Sequence, residues 1–438
     1  MANTYLSKTL GTPTDNKKWT WSAWIKRGTG FNVVQRLFYA INSSNYTTLQ
    51  FDDESNLIWF NEISGVGTDM QLKTTQLFRD AGAWYHIVIA YDSANSTAAD
   101  RQIIYINGER VTSFVTENTA TVNANTAINQ AVPHTVGSSN GGGNYFNGLM
   151  THVHFVDGTA YTASSFGSVD STSGIWKINT SPSVTYGTNG FFILKDGNTI
   201  TDSSSNSNNF SLGGGTLTNT KDCPSNVFAT MNPLDNYWQS GTFSNGNNTV
   251  VTGGAIQAWS TSTIGMSSGK FYWEVKVATS GNDYDTIGIS PFAPTATGNV
   301  LGGATETVAW NGTNGALRQS NSVLATFSTF TTGDILSFAL DLDGSLIYCY
   351  KNGTVQNSGT GIAITAAAST STGLYLVGAG HNDSVASTFQ WNFGNGTFGT
   401  TAVTTNSGNG YTGAEGKSVF NYQPPSGYTA LSTKGLNL

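Results

Sequence analysis

The chain has 438 residues, room for about two to three domains, and only 10% of them are charged, against about 25% in an ordinary soluble domain. Gly, Ser, Thr and Asn replace the missing charge, while 11 Trp, 23 Phe and 18 Tyr supply core-forming bulk and exclude a disordered chain. A formal net charge of −7 without a basic cluster excludes the cationic footprint of a nucleic-acid binder.

Strand patterns dominate from the start of the chain. Trp19-Thr20-Trp21-Ser22-Ala23-Trp24-Ile25-Lys26 alternates large apolar with small or polar residues, the period of a half-buried strand. Next, Trp84 to Asp92 runs through a polar turn into Ile103-Ile104-Tyr105-Ile106-Asn107-Gly108. The same phrase returns as Asp334 to Asp341, the turn Leu342-Asp343-Gly344, and Ile347 to Asn352-Gly353. Asn-Gly supplies the two positive-φ positions of a type I′ hairpin, so each copy predicts adjacent antiparallel strands. Two β-sandwiches on related plans follow, with no shaft, because heptads and short-period repeats are absent.

The first sandwich is expected over residues 1–167, ending after the strand Leu149 to Val156. A Ser-, Asn- and Gly-rich connector covers 168–233, and its Phe191-Phe192-Ile193-Leu194 strand is expected to dock on a neighbouring domain. The second sandwich spans 234–404, with Phe271, Trp273, Val275 and Val277 on one strand face and Tyr272, Glu274 and Lys276 on the other. Residues 405–438 form an extended tail, whose Pro424-Pro425 pair favours a polyproline-like strip. The fold class is all-β.

Residues 269–277, Gly-Lys-Phe-Tyr-Trp-Glu-Val-Lys-Val, resemble an early strand of SPRY domains. The hairpin Asp341 to Gly353 and the segment Trp391-Asn392-Phe393-Gly394 are similar to that family's later strands. Residues 3–166 look like a laminin-G or concanavalin A-like sandwich, carried by Trp21 to Lys26, Trp84 to Val88 and Ile106 to Glu109 in order. The connector (Tyr186 to Phe191, Asp202 to Asn206) and the end (Pro424 to Leu431) resemble segments of structural proteins from marine tailed phages. The resemblance implies a virion part of fibre or surface-adhesin type. Concanavalin A-like domains commonly bind sugars, sometimes with calcium, and SPRY domains bind protein loops; fold alone does not fix function.

Catalytic and metal chemistry find little support. A glucanase needs paired carboxylates flanking the glycosidic bond, and no Glu-x-Asp-x-Glu spacing occurs. Asp52-Asp53-Glu54 is the densest acidic run, but consecutive residues alternate faces and a solvated turn explains them better. There is no nucleophile elbow, Walker loop or Cys-x-x-Cys. His152 and His154 share a strand face, with Asp157 as a third metal-ligand candidate, yet a polar strand face is the favoured reading. Asp341 and Asp343 offer carboxylates to calcium, and a hairpin turn accounts for them more simply. Cys223 and Cys349 cannot build a disulfide framework.

Aromatic residues in polar, Gly-rich loops are the ligand-binding candidates: Tyr145, Phe146, Tyr237, Trp238, Tyr284 and Trp310, with Asp283 and Asn311 beside them. Sugar faces stack on such rings while Asn and Asp bind hydroxyls. For any single ring, plugging the end of its own sandwich is the favoured alternative.

The expected protein is therefore a non-enzymatic virion structural protein serving exposed attachment, as a fibre head or surface decoration. Its expected partners are other virion proteins and a host surface glycan, with no nucleic acid, membrane insertion or cofactor, and its expected assembly is a homotrimer. The opening Met1 to Leu6 lacks the regions of a signal peptide, so synthesis in the host cytoplasm and release within a virion are expected. The alternatives are a purely architectural capsid or tail subunit, and a glycan depolymerase.

Overall fold

The alternating patterns become strands throughout the described residues, which in this computed structural model are 3–236, 240–253, 257–281, 284–295, 298–381, 385–403 and 410–438. Helical structure among them consists of single-turn 3-10 segments. The chain divides after Asn219 into two compact units.

In the first unit, an eight-stranded sheet has the order Phe114–Asn118, Gly67–Leu77, Asn56–Ile63, Asn45–Phe51, Gln35–Asn42, Pro133–Val136, Tyr5–Thr9, Ser211–Gly214. A six-stranded sheet runs Phe191–Ile193, Gly148–Asp157, Lys18–Arg27, Trp84–Asp92, Gln102–Ile106, Glu109–Arg110. Trp19, Trp21, Ala23 and Ile25 point from the second sheet into a core shared with Phe38, Leu49, Trp59 and Leu72 of the first. This is an antiparallel sandwich.

The other face of Lys18–Arg27 is covered too, which corrects the half-buried expectation. Thr20 donates to the Thr159 carbonyl, and Trp24 stacks on His86, which in turn stacks on Trp176. A second apolar layer of Val88, Val156, Ala163 and Phe166 seals this outer face beneath residues 158–187. The connector is likewise absorbed. Phe191–Ile193 extends the six-stranded sheet beside Gly148–Asp157, and Ser211–Gly214 closes the eight-stranded one beside Tyr5–Thr9.

The second unit, Thr220–Leu438, repeats the plan. One sheet follows the path Thr242–Ser244, Thr249–Val251, Thr388–Asn392, Lys270–Thr279, Ile335–Asp341, Leu346–Lys351, Thr354–Val355. The other runs Ala258–Met266, Tyr375–His381, Thr286–Ser290, Val308–Asn311, Ala316–Gln319, Ser322–Thr326. Trp273, Trp310, Phe338 and Trp391 fill the core between them. The tail packs on the outer face of the first sheet. Phe420 meets Tyr272 edge-on at 4.9 Å, and Thr429–Ala430 pairs in parallel with Phe271 and Tyr272.

The repeated sequence phrase is a repeated structure. Asn107 and Gly108 take φ of 50° and 89°, and Asn352 and Gly353 take 49° and 79°, the conformations of a type I′ turn. Asn107 brackets His86 of the neighbouring strand, accepting its N–H on Oδ1 and donating its own N–H to its carbonyl. Asn352 brackets Ile335 identically. In each unit an aromatic ring from the covering segment then sits on the hairpin glycine. A Cβ on Gly108 would lie 2.5 Å from Trp176, and one on Gly353 would lie 2.7 Å from Tyr422.

Candidate functional site

The two-residue period of Val308–Asn311 divides its side chains between core and surface. Trp310 points inward, fully buried, with Phe327, Phe330 and Phe338 around it, and its indole N–H donates to the Ser328 carbonyl. Ala309 and Asn311 point outward. Asn311 stands opposite Thr286 on the adjacent strand, and Ala309 stands opposite Arg318 on the next.

Tyr284, Thr286, Asn311, Asn314, Arg318 and Asn321 thereby converge on a cleft of about 190 Å³, with Leu301 and Ala309 on its apolar side. Tyr284 is 48% exposed, so its ring offers a face to a ligand. Asn311 Oδ1 accepts the Thr313 and Asn314 backbone N–H groups, which fixes its rotamer. Arg318 Nη1 donates to the carbonyl and Oδ1 of Asn321, which holds the guanidinium in one orientation. Thr286 is 3% exposed, and its hydroxyl is buried, closed to a ligand and without a hydrogen-bond partner among the described residues. Such an orphan costs about 1–3 kcal/mol. No carboxylate lines this cleft among the described residues.

Of the sequence candidates, Tyr284 and Asn311 meet in this cleft, and Trp310 is corrected to a core residue by its total burial. Tyr145 and Phe146 belong to the first unit, where both are partly buried. The Tyr145 hydroxyl donates to the Gly141 carbonyl at 2.7 Å, and its ring lies against Tyr5. Phe146 packs on the core. Tyr237, Trp238 and Asp283 lie outside the described residues. Sequence reasoning missed Thr286, Asn314 and Arg318. The available signal was Arg318 itself, the one arginine after position 110, placed one residue from the core Leu317.

The other clusters hold structural roles. Asp157 accepts from the backbone N–H groups of Thr14, Asp15 and Asn189 and from Asn129 Nδ2, which uses its lone pairs completely. His154 Nδ1 lies 2.9 Å from the Tyr186 hydroxyl and His152 Nδ1 lies 2.9 Å from Thr151 Oγ1. Burial drives both imidazoles toward the neutral form, His152 to about 4. Asp52 and Glu54 share Lys73, at 2.8 and 2.6 Å. Asp341 pairs with Lys270 and the Gly344 N–H, while Asp343 caps Gly269. Cys223 and Cys349 are free thiols. Among the described residues, no group of three or more His, Cys, Asp or Glu is placed to hold a metal ion.

A family model, the concanavalin A-like lectin/glucanases superfamily, matches residues 2–165. Among solved structures, the chain is similar to the SPRY domain of human HERC1, at 18% identity over 35% of this chain and 92% of that one, with a TM-score of 0.30. It is similar to a human SPRY domain at 17% identity over 34% and 93%, with a TM-score of 0.27. It is also similar to the heptameric SAP-like pentraxin from Limulus polyphemus, at 14% identity over 37% and 72%, with a TM-score of 0.26. None of the curated proteins compared with the chain matches it.

Proposed function

We propose that this chain is a non-enzymatic virion structural protein of a tailed phage, serving exposed attachment through a glycan-recognition cleft in its second unit. The observation that carries the reading is the convergence of a half-exposed tyrosine ring, an oriented asparagine and an oriented arginine in one cleft. A sugar presents matching chemistry: an apolar ring face for the tyrosine and hydroxyls for the polar groups. Glycoside hydrolysis needs two carboxylates across the scissile bond, and the described lining of this cleft holds none. The virion assignment is supported by the resemblance of the connector and the C-terminal segment to marine-phage structural proteins. Assembly as a homotrimer, which would present three clefts together, belongs to the same reading.

A second reading, an architectural capsid or tail subunit, is favoured by the packing of Phe146 and Trp310 on their cores. A pull-down with host envelope polysaccharide separates the two. Retention of the protein, weakened about 10- to 100-fold by Tyr284→Ala, supports attachment. Absence of retention by any host fraction supports the architectural subunit.

A further inference from the structure

Arg318 sets the cleft apart from a neutral sugar site. It is the only arginine of the second unit, and it has no carboxylate partner among the described residues, unlike Lys270 with Asp341 and Lys351 with Asp334. Glu306, whose backbone N–H donates to Ser320 Oγ, accepts the Ser371 hydroxyl and N–H on Oε2. Arg318 is partly buried as a residue, and its guanidinium is tied to Asn321 through Nη1 alone. Its Nε–H and Nη2 edge is left as a preoriented fork without a partner among the described residues. Such a fork matches the two oxygens of a carboxylate.

Resting on the glycan reading above, we infer that the cleft selects a carboxylate-bearing sugar, a uronic or nonulosonic acid residue within an envelope polysaccharide. Its ring stacks on Tyr284, its carboxylate meets Arg318, and a hydroxyl reaches Asn311. A single cation within a chain of net charge −7 suits one carboxylate per site; a densely sulfated polymer calls for a basic stripe.

The test compares one uronic-acid-containing host polysaccharide with the same polymer after chemical reduction of its carboxyl groups to alcohols. The protein is used as the full chain. Wild type is expected to bind the acidic form about 10-fold or more tightly than the reduced form, the scale of a charge-assisted hydrogen-bonded pair. Arg318→Gln should bind both forms equally, Arg318→Lys should restore part of the preference, and Tyr284→Ala should weaken both forms alike. Unchanged thermal unfolding of the variants shows that they fold. Equal wild-type binding to both polymers, or a preference surviving in Arg318→Gln, overturns the carboxylate inference and leaves glycan recognition standing. Binding to neither polymer, nor to any other host glycan, overturns both.

Discussion

Trp310 and Asn311 are neighbours on one strand, and the pleat sends them to opposite faces. Composition around them is the same polar, Gly-rich loop, so the sequence context made both look like ligand groups. The pairing partners decide: Trp310 lies across from Ile287 and Leu317 in the core, and Asn311 lies across from Thr286 at the surface. Trp310→Ala is therefore expected to cost about 3–5 kcal/mol of stability, the scale for truncating a buried aromatic side chain. Tyr284→Ala should leave thermal unfolding nearly unchanged while weakening ligand retention. Calorimetry on the two variants checks this, and a stable Trp310→Ala with impaired binding would return Trp310 to the site.

Elements explain which parts of the fold were legible. The two Asn-Gly hairpins were readable because a type I′ turn is set by two adjacent residues and its flanking strands are local. The burial of both faces of Lys18–Arg27 was not, because its outer cover, Trp176, lies about 150 residues along the chain. The tail's site was hidden for the same reason. Glu274, on the outward face of its strand, looked like a solvent-facing residue. It is instead wholly buried, accepting from the Asn421 and Tyr422 backbone N–H groups and from Asn392 Nδ2. The cleft itself depends on register between Thr286, Asn311 and Arg318, which no single segment encodes.

Gly353→Ala places a methyl group against Tyr422 at a positive φ, so it should cost about 1–3 kcal/mol and loosen the tail from its sheet. Gly427→Ala, also at positive φ but with no atom within 4 Å of the added Cβ, should carry only the backbone cost, about 1–2 kcal/mol. Limited proteolysis of residues 410–438 distinguishes them. New cleavage confined to Gly353→Ala is the expected result, and equal protection of both variants would mean that the Tyr422 contact does not hold the tail.

For the whole molecule, the two units carry titrations of opposite sign. In the first, His134 is buried, donating from Nδ1 to the Val132 carbonyl and accepting the Asn129 N–H on Nε2. His86 accepts the Trp176 indole N–H on Nδ1. Desolvation lowers His134 to about 4 and His86 to about 3. A depressed histidine contributes stability that is present above the unfolded value of 6.5 and lost as pH falls through the folded value. For His134 this amounts to about 3 kcal/mol. In the second unit, desolvation raises Glu274 to about 7 against its several hydrogen bonds. A raised carboxyl contributes stability that is present below the unfolded value of 4.5 and lost as pH rises through about 7, again about 3 kcal/mol. Between pH 4.5 and 6.5 the unfolding transition of the first unit should therefore rise with pH while that of the second falls. Glu274→Gln should abolish the second trend only, and transitions moving together would contradict the assignment.

Incubating the protein with purified host polysaccharide, and following both retention and chain length, tests whether the second unit holds a glycan and leaves it intact. The expected result is retention that Tyr284→Ala or Arg318→Gln weakens, with an unchanged polymer length distribution and no effect from replacing Asp52, Asp53 or Glu54. Progressive shortening of the polymer, abolished by a carboxylate substitution while retention persists, would contradict it.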